Sequence, residues 1–155
     1  MPHIHEKIDF TVEVFIVHKN KVLLRKHDKF KIWLSVGGHI EPGEDPVEAA
    51  IREVKEETGL DIDLVGNNKI FKSEDHSREL LPPVAVNRHP ISKTHEHVVF
   101  VYFARSKEGT IKPTYKGDLS EECKWCSKGD LKTLELFPNV RAYATEALKR
   151  LKIKN

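Results

Sequence analysis

The chain has 155 residues, 39% of them hydrophobic and 32% charged, which suits one domain with a real core. Its 26 basic and 24 acidic residues leave a net charge of +2, too small by itself to argue for a nucleic-acid or membrane partner. No apolar run is long enough to span a bilayer and no signal pattern is visible at the start, so a cytoplasmic protein without a membrane partner is expected.

Taken in chain order, Phe10, Val12, Val14 and Ile16 alternate with Thr11, Glu13 and Phe15, and Lys19-Asn20 turns the chain into Val22-Leu23-Leu24. That pattern predicts a strand hairpin. Ile32 to Val36 reads as a short strand running into Gly37-Gly38. Next comes a helix with clear stops: Asp45 as N-cap, Pro46 at the first helical position, Glu48 completing a capping box, and Gly59 ending it in the left-handed region. Val47, Ala50, Ile51, Val54 and Thr58 recur at helical spacing and are expected to form its buried face. Ile62, Leu64 and Val65 open a further strand reaching about Phe71, and the nearly all-apolar Val98 to Phe103 predicts a strand covered on both faces.

Between them, Glu74 to His97 reads as the least regular stretch, interrupted by Pro82, Pro83 and Pro90. Cys123 to Cys126 predicts a last short strand, Lys128 to Thr133 a short helix, and Phe137-Pro138 the entry to a terminal helix. The apolar face of that helix is Val140, Tyr143, Ala144, Ala147, Leu148 and Leu151. Strands mixed with covering helices imply an α/β fold, a mixed sheet sandwiched between helices. The chain is read as one domain over 1–155.

The chemistry concentrates between Gly38 and Leu60. Glu53, Glu56 and Glu57 project from one helix flank, because residues three and four apart lie side by side. Arg52 lies four residues from Glu48 and from Glu56 and can pair along that flank. Three carboxylates on one turn repel one another unless a cation binds among them. A solvated acidic face is the plain alternative, but the flanking glycine turns and caps fix these residues at the mouth of a loop. Oxygen ligands of this kind suit Mg²⁺, with Mn²⁺ as a substitute. Such an ion can neutralise charge at phosphorus and lower the pKa of a bound water, which points to hydrolysis of a phosphoanhydride.

The spacing Gly38, five residues, Glu44, seven residues, then Arg52-Glu53-Val54-Lys55-Glu56-Glu57-Thr58-Gly59-Leu60 resembles the Nudix box of the MutT-like Nudix hydrolases. The resemblance implies the Nudix α/β/α sandwich and cleavage of a nucleoside di- or triphosphate derivative. It implies metal ligation by Glu53, Glu56 and Glu57, one of them as base, with the Gly37 carbonyl in the metal shell. Glu44 and Arg52 are then braces of the loop and helix. Where many members carry proline before the paired glycines, this chain has Val36. The family often adds a distal carboxylate, for which Asp118, Glu121 and Glu122 are candidates, with Trp125 following. The family also often forms homodimers, though no apolar patch for one can be read from the pattern.

His76, Arg78, Arg88, His89, His95 and His97 gather cationic groups in the irregular stretch. His95, His97 and Arg78 are candidates for a substrate wall, against the alternative of a histidine-rich polar loop. Phe30 and Trp33 are aromatics able to stack on a base, although Trp33 fits a core position better. Cys123 and Cys126 form a C-x-x-C without a second ligand pair, and reduced, incidental thiols are expected. Two other readings stand beside a small-molecule nucleotide substrate. One is pyrophosphate removal from an RNA 5′ end, with Lys69, Lys72 and the Arg78–Arg88 loop as a weak basic track. The other is a nucleotide sensor that binds without cleaving. An isopentenyl diphosphate isomerase ranks below both, because its catalytic cysteine is not assignable here.

Overall fold

The computed structural model describes residues 5–27, 31–66, 76–113 and 122–154. Its spine is two long strands, β1 (Ile8–His18) and β7 (Glu96–Ser106), paired in parallel from Ile8 opposite Glu96 to Val17 opposite Arg105. Both are mostly buried, which explains their near-continuous apolar sequences. Around this pair lie β2 (Lys21–Lys26), β3 (Trp33–Leu34), β4 (Val36–His39), β5 (Ile62–Val65), β6 (Ala85–Pro90) and β8 (Cys123–Cys126). The described sheet runs β3-β2-β1-β7-β5, with β4 on β1, β6 on β7 and β8 on β2.

The hairpin expectation holds. Lys19 and Asn20 both take positive φ, 46° and 59°, and join Val17 opposite Val22. Such a pair of left-handed residues is what a tight two-residue hairpin demands. The strand predicted over Ile32 to Val36 is split at Ser35: β3 pairs with β2, whereas β4 crosses to β1 and sets Gly37 opposite Glu13. Inside the stretch read as irregular, the structure forms β6, an antiparallel partner of β7. Its side chains alternate between half-buried and exposed, and Pro90 falls at its end, where a missing N–H is tolerated.

Helix α1 (Pro46–Thr58) carries both parts of the predicted capping box at Asp45 and Glu48, and ends at Gly59 with φ 75°. A side chain at Gly59 would also meet the Lys112 carbonyl oxygen at 2.0 Å. The expected buried face needs one correction: Ile51 is exposed, while Ala49 and Glu53 turn inward beside Ala50, Val54 and Thr58. On that side of the sheet α1 packs against Val12, Val14, Ile16, Leu23 and Tyr102. The opposite side holds Phe15, Leu24, Val101 and Phe103 under α2 (Lys128–Thr133) and α3 (Pro138–Arg150). The predicted α3 face is the one used, with Val140, Ala144, Ala147, Leu148 and Leu151 buried and Tyr143 partly so. Helices on both faces make the expected sandwich.

Neither Cys123 nor Cys126 is in a disulfide. Residues three apart on a strand point to opposite faces, and Cys123 packs with the α1 side while Cys126 packs with the α3 side. They cannot bridge. Burial pushes the Cys126 thiol up to about 11, which keeps it protonated and unreactive.

Candidate active site

A cleft of about 380 Å³ opens where α1 meets the β1–β4 pairing. Glu53 and Glu57 of α1, Glu13 of β1, Arg25 of β2, and Gly37, Gly38 and His39 of β4 line it, with His97 of β7. Three pairings bring these residues together. The β1–β2 hairpin carries Arg25 toward the site, the β1–β4 ladder sets Gly37 on Glu13, and α1 lies across β4.

The close approach of α1 explains the paired glycines. A Cβ on Gly38 would sit 2.4 Å from a Glu53 carboxylate oxygen, and one on Gly37 would sit 2.0 Å from the Val12 carbonyl oxygen. The Gly37 N–H donates to Glu57 Oε2 at 3.1 Å, and Arg25 Nη1 lies 2.9 Å from Glu57 Oε1. Both oxygens of that carboxylate are therefore oriented by the strands.

Arg52 ties loop and helix together. Its Nε and Nη2 donate to the two oxygens of Glu44 at 3.0 and 2.6 Å, and Nη2 also donates to the His39 carbonyl at 2.9 Å. Its Nη1 reaches Glu53 at 2.9 Å and Glu56 at 3.2 Å. This planar fork matches a carboxylate at two points, which lysine cannot do. The Arg52 bond holds the Glu44 carboxyl below the usual range, and Glu44 in turn raises Arg52. Glu48, the other expected partner of Arg52, is engaged in the capping box instead.

Burial sets two further carboxyls, Glu53 and Glu13. Glu53, only 6% exposed, is raised chiefly by desolvation, with Glu56 and Glu44 adding to the rise and Arg52 opposing it. Glu13 is pushed up to about 7 by burial, against a lowering hydrogen bond from Ser35. Its Oε2 is buried without a hydrogen-bond partner among the described residues. A charged carboxylate in that setting wants a cation or a proton. The donor set is all oxygen, and two guanidiniums do not balance Glu13, Glu44, Glu53, Glu56 and Glu57. The site therefore fits a hard divalent cation.

The other candidates fall into place unevenly. His97 lines the cleft, and burial holds it at about 4, with His39, His95 and His89 adding repulsion. His95 is 4% exposed and turns to Asp9 behind the cleft wall. Arg78 is exposed and rests on Asp45 at 3.2 Å, outside the cleft lining. Glu122 is exposed and contributes its carbonyl to the Lys26 N–H, also outside that lining. Asp118, Glu121, Phe30, Lys69 and Lys72 lie outside the described residues. Trp33 packs against the core on the α3 side, with Lys26 Nζ 5.8 Å from its ring centre.

Sequence reasoning missed Glu13, Arg25 and His39. Only Glu13 left a signal, as a carboxylate in a strand otherwise apolar enough to be buried on both faces.

The NUDIX domain model matches residues 8–148. The chain belongs to the Nudix family. A Nudix-family hydrolase from Clostridium perfringens, known from its crystal structure, is 39% identical, with a TM-score of 0.80 over 93% of this chain and 98% of that one. Among curated relatives, an RNA pyrophosphohydrolase of Bartonella clarridgeiae is 31% identical over 63% of this chain. A bis(5'-nucleosyl)-tetraphosphatase of Rattus norvegicus is 37% identical over 38% of it. The chain spans 57% of the first of these two proteins and 36% of the second, so less than two-thirds of either. Among the described residues, no helix is long and apolar enough to cross a membrane.

Proposed function

We propose that this chain acts as a single Nudix domain, a Mg²⁺-dependent pyrophosphohydrolase that cleaves a phosphoanhydride in a nucleoside di- or triphosphate derivative. The observation that carries the reading is the cleft itself, where Glu53, Glu57 and Glu13 converge on Gly37 and Gly38 with carboxylate charge in excess. Glu53, Glu56, Glu57 and the Gly37 carbonyl would hold the ion, with Mn²⁺ as a substitute. When bound, Mg²⁺ supplies charge neutralisation at the phosphoryl oxygens and a water of lowered pKa.

The protein's own groups do the rest. Arg52 and the Gly37 N–H fix Glu53 and Glu57, so no reorganisation is needed when charge develops. Arg25, held on Glu57, presents a guanidinium suited to a phosphate oxygen. Glu13, in the cleft lining opposite Gly37, is placed to take a proton from the attacking water. Glu44 stays a brace, since Arg52 grips both its oxygens and it lies outside the cleft lining that holds Glu57.

The test is release of phosphate or pyrophosphate from nucleotides, nucleotide sugars and dinucleoside polyphosphates, with Mg²⁺ and with EDTA. Metal-dependent turnover of one class supports the reading and names the substrate. A nucleotide that binds without turnover across that panel would mark a sensor instead. A second reading, removal of pyrophosphate from an RNA 5′ end, is favoured by the similarity to the Bartonella RNA pyrophosphohydrolase. Triphosphorylated RNA cleaved in preference to free nucleotides, with steep salt dependence, would select it.

A further inference from the structure

A second polar cluster adjoins the cleft, with His39 and His97 in the cleft wall and Asp9 and His95 behind it. Asp9 is fully buried. Its Oδ1 accepts the His5 N–H at 2.8 Å, and its Oδ2 lies 3.0 Å from His39 Nε2 and 3.3 Å from His95 Nε2. One ligand atom each from Asp9, His95 and His97 fall within 4.8 Å of one another. His97 also stacks edge-on against His39 and His95, with ring centres 5.1 and 5.4 Å apart.

The scaffold that carries these groups is rigid. Asp9 and His97 are register partners in the β1–β7 ladder, and His97 is also opposite His89 on β6. His95 stands two residues before His97, so both imidazoles share a face of the sheet. Behind them, His95 Nδ1 lies 3.2 Å from the Glu6 carbonyl oxygen. A carbonyl only accepts, so Nδ1 carries the proton in that contact and Nε2 is the ring atom that faces Asp9. Backbone carbonyls orient metal-bound histidines in this way.

His95 Nε2 and the buried Asp9 carboxylate, 3.3 Å apart, can share a proton or a cation. A proton serves the Asp9–His95 contact alone, whereas a ligand atom of His97 also lies within 4.8 Å of both. One divalent ion can bind the carboxylate and both imidazoles at once. Tetrahedral zinc with bonds of about 2.0–2.1 Å has ligand edges of about 3.3 Å, and the Asp9–His95 separation already matches. Imidazole with carboxylate favours a first-row transition ion over Mg²⁺, which prefers an all-oxygen shell.

We propose that Asp9, His95 and His97 form a second metal site, adjoining the glutamate cleft through His97, that takes Zn²⁺ or a similar transition ion. His39 is the nearest further donor, with Nε2 3.0 Å from Asp9 Oδ2. A filled site fastens β4 to the β1–β7 ladder, because His39 also gives its carbonyl to Arg52.

The probe is Co²⁺ added to EDTA-stripped protein and followed by visible absorption, in wild type, Glu57→Gln and His97→Gln. His97→Gln is chosen over Asp9→Asn because Asp9 is fully buried and its loss endangers folding, which circular dichroism checks. The expected result is one equivalent of Co²⁺ with strong d–d bands, unchanged in Glu57→Gln, lost in a folded His97→Gln, and displaced by Zn²⁺ but not by Mg²⁺. Absence of the bands in wild type overturns the proposal. So does their loss in Glu57→Gln with retention in His97→Gln, which would put the ion in the cleft. Either failure leaves nucleotide hydrolysis untouched, since that is measured separately with Mg²⁺.

Discussion

Replacing Gly38 by alanine isolates the contact between β4 and α1. The new methyl would lie 2.4 Å from one Glu53 oxygen and 2.8 Å from the other, where ordinary contact begins at 3.4 Å. The carboxylate must therefore retreat by about 1 Å, and it can, because it ends a flexible side chain. Retreat weakens the Arg52–Glu53 bond, at a cost of about 1 kcal/mol. Alanine in place of glycine in a strand recovers roughly 0.5–1 kcal/mol, so stability should stay within about 1 kcal/mol of wild type. Activity should not survive so well. Misplacement of a catalytic group by about 1 Å costs on the order of 10²-fold in rate. Gly37→Ala makes the contrast, since its methyl meets the Val12 backbone carbonyl at 2.0 Å and two paired strands must part. That overpacking should cost on the order of 3 kcal/mol. Urea unfolding and phosphate release together separate the cases. A Gly38→Ala protein with full turnover, or a Gly37→Ala protein as stable as wild type, would refute the reasoning.

Other predictions concern the same residues. Arg52→Gln removes the fork from Glu44, Glu53 and Glu56 and should lower stability by on the order of 2 kcal/mol in urea unfolding. Gly59→Ala should cost more than the usual 1 kcal/mol for an αL cap, because the Lys112 carbonyl blocks the methyl as well. In EDTA, the Glu13 carboxyl, near 7 folded against 4.5 unfolded, means that the native state binds more protons between those pH values. Stability from this group therefore falls as pH rises through 7, by on the order of 2–3 kcal/mol. His97, near 4 folded against 6.5 unfolded, works the other way: the unfolded state binds more protons, so its contribution is lost as pH falls from 6.5 toward 4. The two slopes oppose each other, so Glu13→Gln should be less stable in acid than near neutrality, and His97→Gln should lose stability toward pH 8. Either variant with the reverse slope would contradict the assignments.

Local signals made part of this legible. The caps of α1, the α3 face and the β1–β2 turn are set by residues within a few positions of one another, so they are readable from the chain. Ile51 and Glu53 were not. A helix stripe read from apolarity alone cannot anticipate that Arg52 and the glycine turn draw a carboxylate inward and leave an isoleucine outside. Strand β6 hid for a similar reason. Its half-polar sequence reflects partial exposure, and its stability comes from pairing with β7. Within the site, Glu53, Glu56 and Glu57 share one helix and announce themselves. Glu13, Arg25 and His39 reach the cleft only through strand register, and Asp9 meets His97 only because β1 and β7 run parallel.

The account rests on the carboxylate cleft acting as a metal-dependent hydrolytic centre. The most direct test is turnover of the nucleotide substrate by wild type and Glu57→Gln as Mg²⁺ is titrated. The account predicts saturable Mg²⁺ activation in wild type and a loss of at least about 10²-fold in a Glu57→Gln protein that still folds. Equal turnover in the two proteins, or turnover undiminished by EDTA, would contradict it.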